Sequence, residues 1–489
     1  MPSLSVIILG AGPAGLTAAY ELTKAGLPPT VIEAENFVGG LARTVDYKGY
    51  RFDIGGHRFF TKVSAIEKLW HEILGEELLI RPRMSRIYYN KKFFQYPLRP
   101  LNALTRLGLS ETIRCVGSYG WSQLSPEYPE DSFAAWVSNR FGRRLYNIFF
   151  TTYTEKVWGM PCSEIQAEWA AQRIKSLSLP DTLRKSIFSG QTLNKIANRR
   201  AETFLYPRHG PGMMWNRARE IIEKKGSQLL LGNPVKQIYW EPGFVRAVKV
   251  GTETLCGDHF LSSIALRDLV ESLSPPPPKD ILNAARKLQY RDFLTVSLII
   301  RRKNIFPDNW IYIHDTSVKL GRIQNFKNWS SEMVPDPGTT CLGLEYFCSQ
   351  GDKIWGLSDR ELIKLGTREI ETLGFANGQD VVDGQVVRMK KAYPVYDRQY
   401  GQALSDIRDF LGNLKNLQLI GRNGMHRYNN QDHSMLTAML ATQNIQGEQF
   451  DLWTVNTEQV YQENGRNINL EEIRSLKSSQ PLVPHRTRE

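Results

Sequence analysis

The apolar, β-branched run LSVIIL at residues 4–9 ends directly in GAGPAG, and that junction restricts the fold more than any other stretch of the chain. Behind it, LTAAYELTKAG carries apolar residues at helical spacing and stops at Gly26, and TVIEAE reads as a second buried strand. A strand, glycine turn, helix and strand within about 30 residues imply a crossover between parallel strands of one sheet. Gly10 permits the turn, Gly12 lets the backbone approach a pyrophosphate, and Gly15 lets the helix pack on the sheet. The helix start at Pro13 and Ala14 directs its N–H end toward phosphate. Glu33, with Ala34 beside it, stands at the end of the second strand, where a carboxylate accepts hydrogen bonds from an adenosine ribose. These residues predict a dinucleotide-binding unit.

At 489 residues the chain exceeds one ordinary core, so two or three packed units are expected. No apolar run approaches the roughly 20 residues of a membrane-spanning helix, and no membrane span is expected. SVIILGAGPAGLTAAYEL lacks a basic flank and holds glycines at phosphate-loop spacing, so it reads as structure and not as a secretion signal. Cys115, Cys162, Cys256, Cys341 and Cys348 are scattered and odd in number, which frames neither disulfides nor a metal site and suits a cytoplasmic location. A formal net charge of +12 suits anionic ligands: nucleotide sugars, nucleic acid or a membrane surface. Because the basic residues are dispersed through folded-looking sequence, no nucleic-acid partner is expected. Oligomeric state is not legible.

The expected architecture is α/β, with a discontinuous Rossmann-type FAD-binding domain, a helical insertion and a β-rich substrate domain. Residues 1–62 supply the first part of the nucleotide-binding domain, 63–200 a mainly helical insertion, 201–272 the second part, 280–400 the substrate sheet and 401–450 the last part. SPPPPK at 274–279 is an extended connector, and 474–489 form a basic tail.

FAD and NAD share the first fingerprint, so the following segment has to discriminate. Gly39-Gly40-Leu41-Ala42-Arg43-Thr44 and then RFDIGGHRFF at 51–60 leave the backbone bare twice, as close approach to a large flat cofactor requires. Here the sequence resembles the FAD enzymes that include amine oxidases, protoporphyrinogen oxidase and UDP-galactopyranose mutase. GRNGMHRYNNQDHSMLTAMLA, a strand end, glycine turn and helix, is similar to the flavin-binding end of the mutases.

That resemblance implies cofactor contacts at Gly40, Leu41, Arg43, Gly55, Gly56, His57, Gly421, Arg422, Tyr428, Asn430, Gln431 and Ser434, besides those of the first fingerprint. It implies catalytic roles for His57, near the flavin, and for Arg173 and Arg301, on the diphosphate. It places Tyr96, Trp158, Tyr312, Tyr393, Tyr428 and Asn430 on a substrate. QYPLRPLN at 95–102 departs from the mutases: Arg99 and Pro100 stand where amide side chains meet uracil.

The activity implied is interconversion of pyranose and furanose forms of a UDP-sugar, through an adduct between the sugar and N5 of reduced FAD, with NADPH or NADH as a candidate reductant. An FAD-dependent oxidase or desaturase of the protoporphyrinogen oxidase or amine oxidase type is the alternative. A non-catalytic, FAD-stabilised binding protein is a third class, without positive support.

Overall fold

In the computed structural model the described residues are 4–98, 100–167, 169 and 203–456. Arg99, all of 170–200 with Arg173, and the 474–489 tail lie outside them.

The nucleotide-binding part is built on a five-stranded parallel sheet. Its order is Leu417–Leu419, His259–Ser262, Val6–Leu9, Thr30–Ile32, Gln228–Leu230. The strands come from three distant stretches of chain. Val6–Leu9 is buried throughout, as a central parallel strand covered on both faces must be, which explains its unbroken apolar run. The helices Pro13–Lys24, Gly212–Lys224 and Gln431–Ile445 contribute buried residues to the same core. A four-stranded sheet, ordered Glu253–Cys256, Phe244–Val250, Val235–Glu241, Leu273–Ser274, lies between the Gln228–Leu230 and His259–Ser262 strands and just beyond them in the chain.

A seven-stranded mixed sheet forms the second layer, ordered Val381–Pro394, Tyr290–Ile300, Thr340–Cys348, Arg322–Asn325, Trp310–Ile313, Ser85–Tyr89, Lys92–Gln95. The last two strands come from within 63–200, the stretch expected to be mainly helical. Ser85–Tyr89 pairs in parallel with Trp310–Ile313, and Leu78–Pro82 pairs with Thr203–Pro207. Their alternation in SRIYY and KFFQ is short and interrupted by charge, which hid it among the helical periods around it. The helices among the described residues of that stretch include Ser64–Leu74, Pro100–Leu107, Leu109–Leu124, Phe133–Phe141, a π-helical turn at Tyr146–Thr151 and Thr152–Trp158.

One buried polar knot joins these parts. Asp53, at the end of the Tyr50–Asp53 strand, accepts from Tyr206 Oη at 2.5 Å and from Thr44 Oγ1 at 2.8 Å. Thr44 Oγ1 in turn accepts from Gly212 N at 3.0 Å, at the start of the Gly212–Lys224 helix. A Cβ on Gly210 would stand 2.3 Å from Thr44 Oγ1. Burial pushes the Asp53 carboxyl up to about 7, against the pull of the two hydroxyls. Between its ordinary value and 7 the native state holds a proton that the unfolded chain releases, so stability falls as pH rises across that window. At ~1.4 kcal/mol per pH unit the total is at most about 4 kcal/mol. Denaturant melts of Asp53→Asn are expected to lose this fall between about pH 4 and 7; a variant that keeps the wild-type slope would remove Asp53 as its source.

Candidate active site

The glycine turn is held by backbone bonds. Gly10, at φ 100°, donates its N–H to Ile32 O at 2.7 Å, and Gly39 donates to Ala11 O at 2.9 Å. A Cβ on Gly15 would lie 1.8 Å from Gly10 O, so the helix meets the turn at a distance open to glycine alone. A Cβ on Gly12 meets nothing within 4 Å: this backbone faces open space, with Gly40 across from it. Pro13 begins the helix, whose cap residue Gly12 offers no side chain to its first N–H groups. Glu33 accepts from Ala11 N at 2.7 Å and Glu35 N at 3.0 Å, which ties the acidic residue to the turn. The Arg43 guanidinium lies 3.8 Å from the Phe37 ring centroid.

His57 Nε2 is 2.8 Å from Ile54 O, with the Leu41 backbone also beside the ring, so His57 links the two diglycine segments. Burial, with Arg422 and Arg322 nearby, pushes it down to about 4, and it is neutral at pH 7. Beneath this loop lies a buried ion pair. Arg322 Nε donates to Glu345 Oε2 at 2.5 Å, and Gln324 Nε2 donates to Glu345 Oε1 at 2.8 Å. A Cβ on Gly56 would come 2.8 Å from Gln324 Nε2. The second diglycine is therefore bare because the loop lies on the side chains of strand Arg322–Asn325. Burial opposes the charged form of Arg322, and Glu345 with Tyr153, Tyr393 and Tyr312 outweighs it, so the guanidinium stays charged.

Around Arg322 stand aromatic side chains from separate elements. Tyr312 faces Tyr96 at 4.4 Å and Tyr153 at 5.4 Å between centroids. Tyr393 stacks on Tyr428 at 5.5 Å, and Trp158 meets both edge-on at 6.5 Å. Arg422 lies over Tyr428 at 4.8 Å and Tyr393 at 5.5 Å, and its N–H groups donate to Asn429 O and Ala392 O, which fixes the two tyrosines. Trp158 Nε1, Gln324 Oε1 and Gln431 Oε1 are buried with no hydrogen-bond partner among the described residues, as polar atoms reserved for a ligand would be.

Residues 13–430 match the family of flavin containing amine oxidoreductases. The chain belongs to that family. Among solved structures, this flavoenzyme is similar to a reduced UDP-galactopyranose mutase, with TM-score 0.82 and 22% identity over 95% of this chain and 99% of that one. It is similar also to putrescine oxidase bound to putrescine, with TM-score 0.59 and 16% identity over 91% and 100%. Among curated proteins, an L-amino acid oxidase of Crotalus durissus cumanensis is 34% identical over 113 residues, 19% of this chain and 22% of the oxidase. The flavoenzyme thus matches about a fifth of that relative's length.

The residues fit FAD. Gly12 and Gly40 leave the backbone open, the capless helix at Pro13 faces the same space, and Gln431 begins a second helix with an unsatisfied side-chain oxygen. Gly421, at φ 79°, donates to Thr437 Oγ1 and would clash with Ala14 if it carried a Cβ, so the terminal glycine turn is packed on the first one. Ser434, in the first turns of the Gln431–Ile445 helix, is buried. Asn430 has a structural task as well: its side chain and His433 form a capping box at the start of that helix.

Arg301 lies apart from this cluster. It is exposed at the end of strand Tyr290–Ile300, and its N–H donates to Asp380 O. Thr295, Glu345, Arg322 and Tyr312 lie in one register row across four strands, and Arg301 is six residues past Thr295, about 20 Å along the strand. The buried cation is Arg322. Sequence reading missed it, along with Glu345 and Tyr153; Tyr153 opens the segment YTEKVWGMP, where attention fell on Trp158.

Two contrasts are expected. Gly12→Val folds and loses flavin absorbance, whereas Gly15→Val fails to fold, measured by melting and bound flavin after purification. Arg322→Ala lowers turnover at least ~100-fold, while Arg301→Ala stays within about twofold of the parent; equal effects of the two would undo the assignment.

Proposed function

We propose that this flavoenzyme interconverts pyranose and furanose forms of a nucleotide sugar, with a UDP-sugar as the substrate class. The observation that carries the reading is a permanently charged, buried arginine at the centre of a tyrosine cluster beside the diglycine-histidine loop. Two guanidinium groups against one carboxylate favour an anion. An amine substrate would meet like charge there, and an apolar chain would bury the cation against hydrocarbon.

Reduced flavin, when bound, supplies a nucleophilic nitrogen for the anomeric carbon of the sugar. The protein's part is to hold the leaving diphosphate. Arg322 presents charge, Tyr153, Tyr312, Tyr393 and Tyr428 present hydroxyl donors, and Glu345 fixes the arginine before substrate arrives. Neutral His57 orders the loop and carries no imidazolium proton near pH 7. Trp158 and the stacked Tyr393–Tyr428 pair add apolar surface beside that charge, which keeps water from it.

Dithionite-reduced protein incubated anaerobically with UDP-galactopyranose is expected to yield the furanose isomer, and oxidised protein none. Oxygen consumption with an amine or amino acid, without isomerisation, would instead establish the oxidase class to which the Crotalus relative belongs by name.

A further inference from the structure

Helix Leu109–Leu124 is apolar on the wrong side. Its buried face carries the small residues Cys115 and Ser122. The opposite face carries Leu109, Ile113, Val116, Trp121 and Leu124, exposed by 79%, 63%, 52%, 70% and 84%. At 100° per residue these five, with Gly117 and Gly120, fall within one continuous stripe along the helix. Nothing lies within 4 Å of a Cβ built on either glycine. A chain that keeps Leu, Ile, Val and Trp together in water over four turns has a partner for them.

The rim of the stripe is basic. Arg114 lies on the helix, Arg144 and Arg143 on the adjoining turn, Arg106 one helix earlier, and Lys91 and Lys92 in the neighbouring hairpin, where Lys92 Nζ donates to Arg106 O at 3.1 Å. Two carboxylates stand among them. Glu111 is taken by Arg144 and Arg114, and Glu127 by Arg143 at 2.8 Å, which leaves a surplus of positive charge around the apolar stripe.

We propose that this face docks the protein on an anionic lipid surface, with Leu109, Ile113, Trp121 and Leu124 entering the interfacial layer and the arginines and lysines meeting headgroups. Charge decides against a second copy of the chain, because a two-fold contact would bring two positive rims together. A bilayer accepts a single helix face of this kind, with Trp and Leu on one side and basic residues beside it. The docking is peripheral: no helix among the described residues is long and apolar enough to cross a membrane.

The test is flotation of the full-length flavoprotein with vesicles of phosphatidylcholine alone and of phosphatidylcholine mixed with phosphatidylglycerol, at low and high salt. Expected is flotation with the anionic vesicles, weakened by salt and at least about tenfold weaker for Ile113→Ser with Trp121→Ser and for Arg114→Glu. Those variants are expected to keep bound flavin and melting temperature, since Ile113 and Trp121 are exposed and Arg114 makes only a surface ion pair with Glu111, which Arg144 also holds. Failure to float with anionic vesicles, or flotation indifferent to all three substitutions, overturns the proposal. So does a concentration-dependent dimer, seen by light scattering, that disappears in the Ile113→Ser, Trp121→Ser variant.

Discussion

The Pro13–Lys24 helix can begin where it does only because residue 15 has no side chain. The gap between that position and the Gly10 carbonyl is shorter than any side chain tolerates, and it brings the helix axis onto the central strand. The remaining contacts are arranged around this approach. Ala11 hangs on Glu33, Gly39 on Ala11, and Gly421 sits against Ala14, so three remote loops converge on one turn. The bareness of Gly12 is then a different matter from the bareness of Gly15. One glycine is required by the protein's own packing, and the other leaves room for something the protein binds.

The second organising interaction is the buried Arg322–Glu345 pair. Removing two charges from water is costly, and the cost is offset here by Gln324, the surrounding tyrosine dipoles and the closeness of the pair itself. Such a pair adds little to stability on its own account. Its consequence is geometric: a guanidinium held on a rigid strand, out of water, among Tyr153, Tyr312 and Tyr393.

How much of this was legible in the sequence depends on the range of the interaction. The strand, turn and helix around Gly10 to Gly15 and the acidic residue at 33 are local, so spacing alone revealed them. Tyr312, Tyr393, Tyr428 and Trp158 do come together, although only strand pairing brings them into one place. Arg301 and Arg322 show the limit. Both are arginines near a strand end, flanked by apolar alternation, and nothing local separates them. What separates them is register, since Arg322 pairs with Glu345 while Arg301 runs past the sheet to solvent. The strand at Ser85–Tyr89 escaped for a related reason, since its partner Trp310–Ile313 lies more than two hundred residues further on, and Lys92–Gln95 joins the sheet only through its hairpin with Ser85–Tyr89.

The parallel sheet takes its edge strand, Leu417–Leu419, from far down the chain, and the Gln431–Ile445 helix that packs beside Pro13–Lys24 comes later still. On a ribosome, the first glycine turn is made several hundred residues before the strand and helix that complete its surroundings. The cofactor cradle is therefore an unfinished object throughout translation, with an open sheet edge and an uncovered helix face. The nascent chain must carry that exposed apolar surface until its last quarter emerges, and only then can the nucleotide be enclosed.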